Sequence, residues 1–332
     1  MLRFIDGFDH YATAQITNKW AGGGGSGLAI SSTYGRFGNG IGGGSVSIFK
    51  TIDLQDVWVV GFAVKVTSIV ERALVSLRDS TTTQVQLFMN GSGNLAVRRR
   101  AGGELGAATL GTGTAVLSIN AWYFVELKVY IHDTSGTVDV RINEVSDLAL
   151  TSQDTKYSAT AGADNIVFFP TSTCYMDDIY ICDDQGSNNN NFLGDCRVET
   201  LFPNANGSSV EFTPSGGSNW ECVDETTPDG DTSYNESETV GHKDLLGCTN
   251  LVTSAGSVFG VQANLWADKD DAGGREIQPL TLSNAVEAAG SSHGLSTSYT
   301  YYADIFETEP DSGALWTVDE VNAAEFGYEV SA

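Results

Sequence analysis

QVQLFMNGSGNLAVRRR, residues 84–100, decides the fold class. Two runs of alternating apolar and polar residues meet at Asn90 and Gly91. An Asn-Gly pair between alternating runs is a strong hairpin signal, because both positions tolerate positive φ. The pattern continues outward in both directions. VWVVGFAVKV (57–66) is rich in valine and aromatic residues, and ALVSLRDS follows it. WYFVELKVYIHDTSGTVDVRINEV (122–145) reads as a second hairpin turning at 134–136, and NIVFFP and CYMDDIYICDD close the run. No window holds a 3.6-residue period over three turns. Many short strands separated by turn clusters predict an antiparallel sandwich.

The remainder also reads as β. CRVETLFP (196–203), SSVEFTP (208–214), SVFGVQANLWADK (257–269) and SYTYYADIFETEP (298–310) alternate as strands do. WTVDEVNAAEFGYEV (316–330) opens with a helical turn at 317–321, Thr317 and Glu320 forming a capping box, before FGYEV returns as a strand. Residues 215–247, mostly polar and acidic, predict a long surface loop. DQGSNNNN (184–191) is polar and free of apolar side chains, so it predicts a linker between residues 1–183 and 192–332.

Charge separates the two parts. The 332-residue chain has 17 Lys+Arg and 42 Asp+Glu, a net of −25. Residues 1–182 hold 13 and 16, a net of −3, and residues 183–332 hold 4 and 26, a net of −22. Such acidity opposes nucleic-acid binding, which requires a basic stripe, and adhesion to anionic membranes. No apolar stretch reaches about 18 residues, which argues against membrane insertion. The N-terminal sequence has no apolar core of a signal peptide, which predicts synthesis in a cytoplasm without export.

The order of pieces in the first part resembles the concanavalin A-like jelly roll of laminin-G, pentraxin and legume-lectin domains. FIDGFDHY (4–11), the GRFGNGIGGG-SVSIF turn and strand (35–49), VWVVGFAVKV, QLFMNGSGNLAV (86–97), NAWYFVELKVYI (120–131), VDVRINEV (138–145) and CYMDDIYICDD (174–184) carry it. The resemblance implies that the first and last strands share a sheet, with Asp6 near Asp177 and Asp178. FIDGFDHY, WAGGG and MDDIYI also resemble tailed-bacteriophage virion proteins that begin at once with a sandwich. The expected fold is therefore all-β: two β-sandwich jelly-roll domains, the first concanavalin A-like.

Chemistry-bearing constellations are few. The glucanases of this fold need paired carboxylates on one strand face; ECVDET (221–226) has the wrong spacing. His10, His132, His242 and His293 follow neither a G-x-S-x-G elbow nor an H-E-x-x-H pattern. GGGGSG (22–27) lacks the Lys-Ser/Thr of a phosphate loop and reads as a strand connection. Arg98, Arg99 and Arg100 form the one basic cluster, read as a charged strand end. Calcium is the ion best suited to the acids near the closing strand, Asp177, Asp178, Asp183 and Asp184, although none of these pairs matches a diagnostic ligand string. Cys174 and Cys182, eight residues apart on one strand, lie roughly 26 Å apart, too far to bridge. Cys182–Cys196 and Cys222–Cys248 remain open as disulfides, against reduced thiols as expected in a cytoplasm.

The expected function is a non-enzymatic virion subunit, tail- or fibre-associated or capsid-decorating. It would assemble as a homo-oligomer with tail, portal-proximal or capsid proteins. The alternative is a receptor adhesin binding a cell-surface glycan, with Tyr34 and Tyr157 as candidate sugar-stacking side chains. A glycoside hydrolase is the third reading.

Overall fold

The computed structural model describes residues 1–22, 27–101 and 104–332, and of residues 101 and 104–107 the backbone alone. Most of GGGGSG lies outside the described residues. The chain divides into two compact units: Met1–Phe8 with Ala12–Val198, and Asp9–Tyr11 with Glu199–Ala332.

The first unit is an antiparallel jelly-roll sandwich. Its first sheet runs, in spatial order, Val145–Gln153, Gly136–Ile142, Trp122–Tyr130, Val57–Val66, Cys174–Asp183, Gly40–Gly43 and Leu28–Ser31, with Leu2–Asp6 also paired to Cys174–Asp183. The second runs Glu104–Val116, Asn94–Ala101, Thr82–Met89, Arg72–Asp79, Ala163–Phe168, Ile48–Gln55 and Ala21–Gly22. The first and last strands do share a sheet, with Leu2 opposite Cys182 and Asp6 opposite Ile179. The hairpin at 84–100 is present, but its loop spans residues 90–93: Gly93 N donates to Asn90 O at 3.0 Å, and the positive φ falls at Gly93 (88°) and not at Asn90 or Gly91.

Alternation along these strands sorts the side chains. Phe62 of the first sheet meets Phe168 of the second edge to face at 5.8 Å, so these positions point into the core. Leu77, Val85, Leu87, Val97 and Ile166, paired in register with that row, are fully buried beside it. Trp58 sits in the core with its indole N–H satisfied by Ala163 O at 2.9 Å.

The outward face of the first sheet is covered by the chain that follows its last strand. Gly61 lies opposite both Glu126 and Tyr180, and the Tyr180 ring crosses it where no Cβ fits. Tyr180 Oη donates to Glu126 Oε1 at 2.5 Å; Leu193 N donates to Tyr180 Oη and Gly194 N to Glu126 Oε1. The Phe192 ring carries the Arg141 guanidinium at 4.1 Å. Residues 184–198, expected as a linker and the opening of the next domain, are therefore a strap belonging to the first unit. Its buried hydrogen bonds, invisible in a polar sequence, hold it there. CRVETLFP forms no strand for the same reason: its first three residues end this strap.

The second unit pairs a six-stranded sheet with a two-stranded ribbon. The sheet order is Pro203–Val210, Lys243–Cys248, Glu325–Val330, Glu276–Ser283 and Val286–Ala289, with His293–Gly294 beside Glu276–Ser283. The ribbon is Val261–Ala267 with Thr300–Phe306. Phe306, Trp316, Val321 and Ala324 form a core packed by Val261, Ala263, Ala288 and Phe326. The capping box is present: Glu320 N donates to Thr317 Oγ1 at 3.2 Å and Thr317 N to Glu320 Oε2 at 2.8 Å, opening the helix Val318–Ala323. The expected loop 215–247 also contains the short strand Asn235–Glu236 and the start of Lys243–Cys248. Among the described residues, no helix is long and apolar enough to cross a membrane.

The Gly61–Tyr180 contact makes a direct test. Gly61→Ala should displace the Tyr180 ring from Glu126 and destabilise the first unit by about 1–3 kcal/mol, the usual cost of overpacking. The readout is a lowered urea midpoint; an unchanged midpoint would mean the ring is not seated there.

Candidate functional site

The acids suggested as calcium ligands are mostly engaged by the chain's own donors, Asp178 Oδ2 alone of their buried oxygens having no hydrogen bond among the described residues and lying 3.8 Å from Arg36 Nε. Asp177 Oδ2 accepts from Arg36 N at 2.7 Å and Phe37 N at 3.2 Å, and its Oδ1 accepts from Asp178 N at 2.8 Å. Asp178 Oδ1 accepts from Val198 N at 2.9 Å, holding the end of the strap. Asp183, fully buried, takes Arg3 Nη1 at 2.9 Å and Gln185 N at 3.0 Å. Asp184 accepts from Gln185 Nε2 at 2.6 Å. Asp6 takes Trp20 Nε1 at 2.7 Å and pairs with Lys19 at 3.3 Å. The strand pairing brings Asp6 alongside the closing strand, but its carboxylate serves these partners and not Asp177 or Asp178. Among the described residues, no three His, Cys, Asp or Glu side chains gather around a metal-sized point.

The cysteines are all free thiols. Neither Cys182–Cys196 nor Cys222–Cys248 is a bridge. Cys222 Sγ donates to Gly216 O at 2.8 Å, and Cys196 Sγ to Leu193 O at 3.6 Å. Burial pushes the Cys174 and Cys196 thiols up to about 12 and Cys248 up to about 11. At neutral pH the nucleophilic thiolate is then scarce at these three positions.

The two candidate sugar-stacking tyrosines lie on different elements. Tyr34 packs on Tyr175, ring centroids 4.7 Å apart, over Gly42 of the first sheet. Tyr157 is held by its backbone N–H to Gln84 Oε1 at 2.6 Å, with the Arg100 guanidinium 5.4 Å from its ring. Gln84 ties down this loop, its amide also donating to Ser158 Oγ, Thr160 O and Gly162 O.

The outward face of the second sheet is the polar surface built by the fold. Because Phe168 points inward, alternation sends Asn165 and Val167 outward, and their cross-strand partners with them. One row reads Phe49, Val167, Ser76, Gln86, Arg98 and Thr109, each directly opposite the next. The neighbouring row reads Thr51, Asn165, Arg78 and Thr83.

Hydrogen bonds fix most of this face. Gln86 Nε2 donates to Ser76 Oγ at 2.7 Å, and Arg98 Nε donates to Gln86 Oε1 at 2.8 Å. Arg98 Nη1 pairs with Glu71 at 3.0 Å, and its guanidinium lies 4.3 Å from the Phe88 ring centroid. Thr51 Oγ1 donates to Asn165 Oδ1, and Asn165 Nδ2 to Asp164 Oδ1, both at 2.8 Å. Ser76 and Gln86 are fully buried and orient Arg98, whose side chain keeps 15% of its surface exposed. The three arginines of the RRR cluster thus part company. Arg98 and Arg100 project to this face by alternation, while Arg99 turns to Asp154 at 2.8 Å and Lys156 O at 2.7 Å.

Arg78 stands apart. Its guanidinium carbon lies 5.8 Å from the Phe169 ring centroid. Its Nε is buried with no hydrogen-bond partner. Burial with no counter-charge draws its pKa down from the usual arginine value. The sequence signal for Ser76, Arg78 and Gln86 was present, because ALVSLRDS and QVQLFM alternate and place these side chains on the polar face. Their hydrogen-bonded order required the register.

No protein-family model matches the chain. No curated protein matches it either. Solved structures match in part. The cellulose-induced protein Cip1 matches at TM-score 0.40 and 15% identity, over 54% of this chain and 97% of that one. Alginate lyase Aly36B matches at 0.39 and 11%, over 54% and 96%. Galectin LEC-6 of Caenorhabditis elegans matches at 0.32 and 9%, over 41% and 89%.

The buried acid pair yields a pH prediction. Burial, and for Asp177 the neighbouring Asp178 charge, raises these carboxyls above the ordinary aspartate value, Asp177 to about 8 and Asp178 to about 6. Between about pH 4 and pH 8 the folded chain then holds protons that the unfolded chain has released, so stability falls as pH rises through that window. Urea midpoints at pH 5 and pH 8.5 should show this slope. Asp178→Asn keeps an oxygen for Val198 N and tolerates the φ of 50° at that position. It should flatten the slope; an unaltered slope would assign it to other groups.

Proposed function

We propose that this chain is a non-enzymatic carbohydrate-binding protein whose first unit holds sugar against the outward face of its second sheet. The observation that carries the reading is the fixed row Ser76–Gln86–Arg98 beside Asn165 and Arg78, bordered by Phe88, Phe169 and Phe49. Sugar recognition needs pre-oriented hydrogen-bonding groups next to apolar ring faces, on a scaffold that does not rearrange. A pleated sheet supplies the scaffold, and the buried Gln86–Ser76 pair holds one guanidinium in place.

The carboxylates along this face support a binding role over hydrolysis. Glu71 pairs with Arg98, and Asp164 accepts from Ser80 N and Asn165 Nδ2. Neither stands free opposite a second acid, as a glycosidase pair must. Carried on a virion, as the resemblance of the opening and closing motifs implies, such a protein would serve as a receptor adhesin.

A glycan array with the intact chain, followed by calorimetry on the best binder, tests the reading. Binding without release of reducing ends is expected. Arg98→Ala should weaken it at least about tenfold, or about 1.4 kcal/mol, while the thermal midpoint is monitored for folding. A chain that enters particles but binds no glycan would be an assembly subunit instead.

A further inference from the structure

Resting on the carbohydrate reading above, we propose that Arg78 is an anion-recognition residue: the sugar held on this face carries a carboxylate, as a uronate does, and its carboxylate takes the Arg78 guanidinium.

Arg98, Arg99 and Arg72, on or beside this face, each have an oxygen acceptor or a carboxylate. Arg98 has Glu71 and Gln86, Arg99 has Asp154 and Lys156 O, and Arg72 has Ser68, Thr171 and Thr173. Arg100 lies over the Tyr157 ring. Arg78 has no hydrogen bond or ion pair among the described residues, and its Nε is buried without an acceptor. A buried donor left unmade costs about 1–3 kcal/mol, and a guanidinium loses more hydration than a neutral group. A sheet face that keeps such a donor recovers this energy when a ligand supplies the acceptor.

Geometry narrows the ligand. Arg78 stands in register opposite Asn165, beside the Ser76–Gln86–Arg98 row, with its guanidinium 5.8 Å from the Phe169 ring centroid. Arginine presents a planar set of donors that matches a planar carboxylate through two parallel bonds. Arg98 is already paired with Glu71, whereas the Arg78 guanidinium, with no hydrogen bond or ion pair among the described residues, keeps its fork for one carboxylate per bound residue. Phe169 and Phe49 offer apolar surface for the sugar ring.

The test uses the intact chain and three oligosaccharide classes of equal length: neutral, uronate and sulfated neutral. Titration calorimetry at pH 7 should give the tightest binding with uronate. Methyl esterification of the uronate, which removes the charge and keeps the ring, should weaken binding at least tenfold with the protein unaltered. Arg78→Gln should abolish the difference between free acid and ester, and Arg78→Lys should restore part of it. Equal affinity for acid and ester would overturn the proposal, as would sulfated sugar binding more tightly than uronate. Neutral sugar binding that Arg78→Gln leaves intact, with no preference for acid, would overturn the Arg78 assignment and leave the carbohydrate reading standing. No binding to any class would overturn both. The ester arm needs no variant, so it decides the matter even where Arg78→Gln folds poorly.

Discussion

The pairing of Leu2–Asp6 with Cys174–Asp183 is the constraint on which the first unit depends. It joins strands about 180 residues apart and closes the sheet whose other strands were laid down between them. Long-range pairing of this kind is entropically costly and forms late. The acids on and beside these strands are its fastenings. Asp183 reaches Arg3 from the last strand to the first, Asp6 fixes Trp20, and Asp177 and Asp178 take backbone N–H groups from loops distant in sequence. A buried carboxyl group with several donors is a strong clamp, and at Asp183, paired with Arg3, removing the partner would leave a charge stranded in the interior. Acids that a sequence offers to a metal are, in this unit, the means by which loops are tied to strands.

Closure decides which surface remains for function. The last strand leads directly into the strap 184–198, and Tyr180, Glu126 and Asp178 hold it across the outward face of the first sheet. That face is thereby occupied by the chain itself. On the second sheet the outward rows are buried at their centre, at Val167, Ser76, Gln86 and Asn165, and reach solvent through Thr51, Arg78, Arg98 and Thr109. The buried Ser76 and Gln86 satisfy one another and Arg98. A satisfied buried network is rigid, and rigidity is what a binding surface needs to discriminate between similar sugars.

Much of this was legible in the sequence, and the failures have physical causes. Alternation and the Asn90–Gly91 turn placed the hairpin, and Thr317 with Glu320 placed the capped helix, because both signals are local. The strap was misread as a linker because DQGSNNNN looks solvated, while what holds the chain there is Leu193, Gly194 and Val198 donating backbone N–H groups to buried side chains. Backbone donors leave no trace in composition. Glu276–Ser283 is hard to read as a strand because Pro279 sits in its middle, and proline within a run argues against a strand; there it lies opposite Tyr328 in a central strand. The RRR cluster drew attention by its density, yet Arg99 turns away from Arg98 and Arg100, and the arginine without a partner is the single one in ALVSLRDS. Which cation is left uncompensated depends on cross-strand neighbours, and only the register supplies these.

A chain of net charge −25 appears ill suited to an acidic ligand, and the distribution of charge resolves the conflict. Residues 183–332 carry −22 of that total, and residues 1–182 only −3. At physiological ionic strength a charge is screened beyond about 8 Å. The groups that a ligand touches directly at the second sheet are those on that face. There Arg98 pairs with Glu71, Asp164 accepts from Ser80 and Asn165, and Arg78 has no hydrogen bond or ion pair among the described residues. The acidic excess slows the approach of a polyanion without altering the local bond. A surface of this kind favours a ligand whose charges are spaced along a sugar chain over one that is densely anionic, because a single guanidinium fork holds one carboxylate while the acidic excess of the chain repels the surplus.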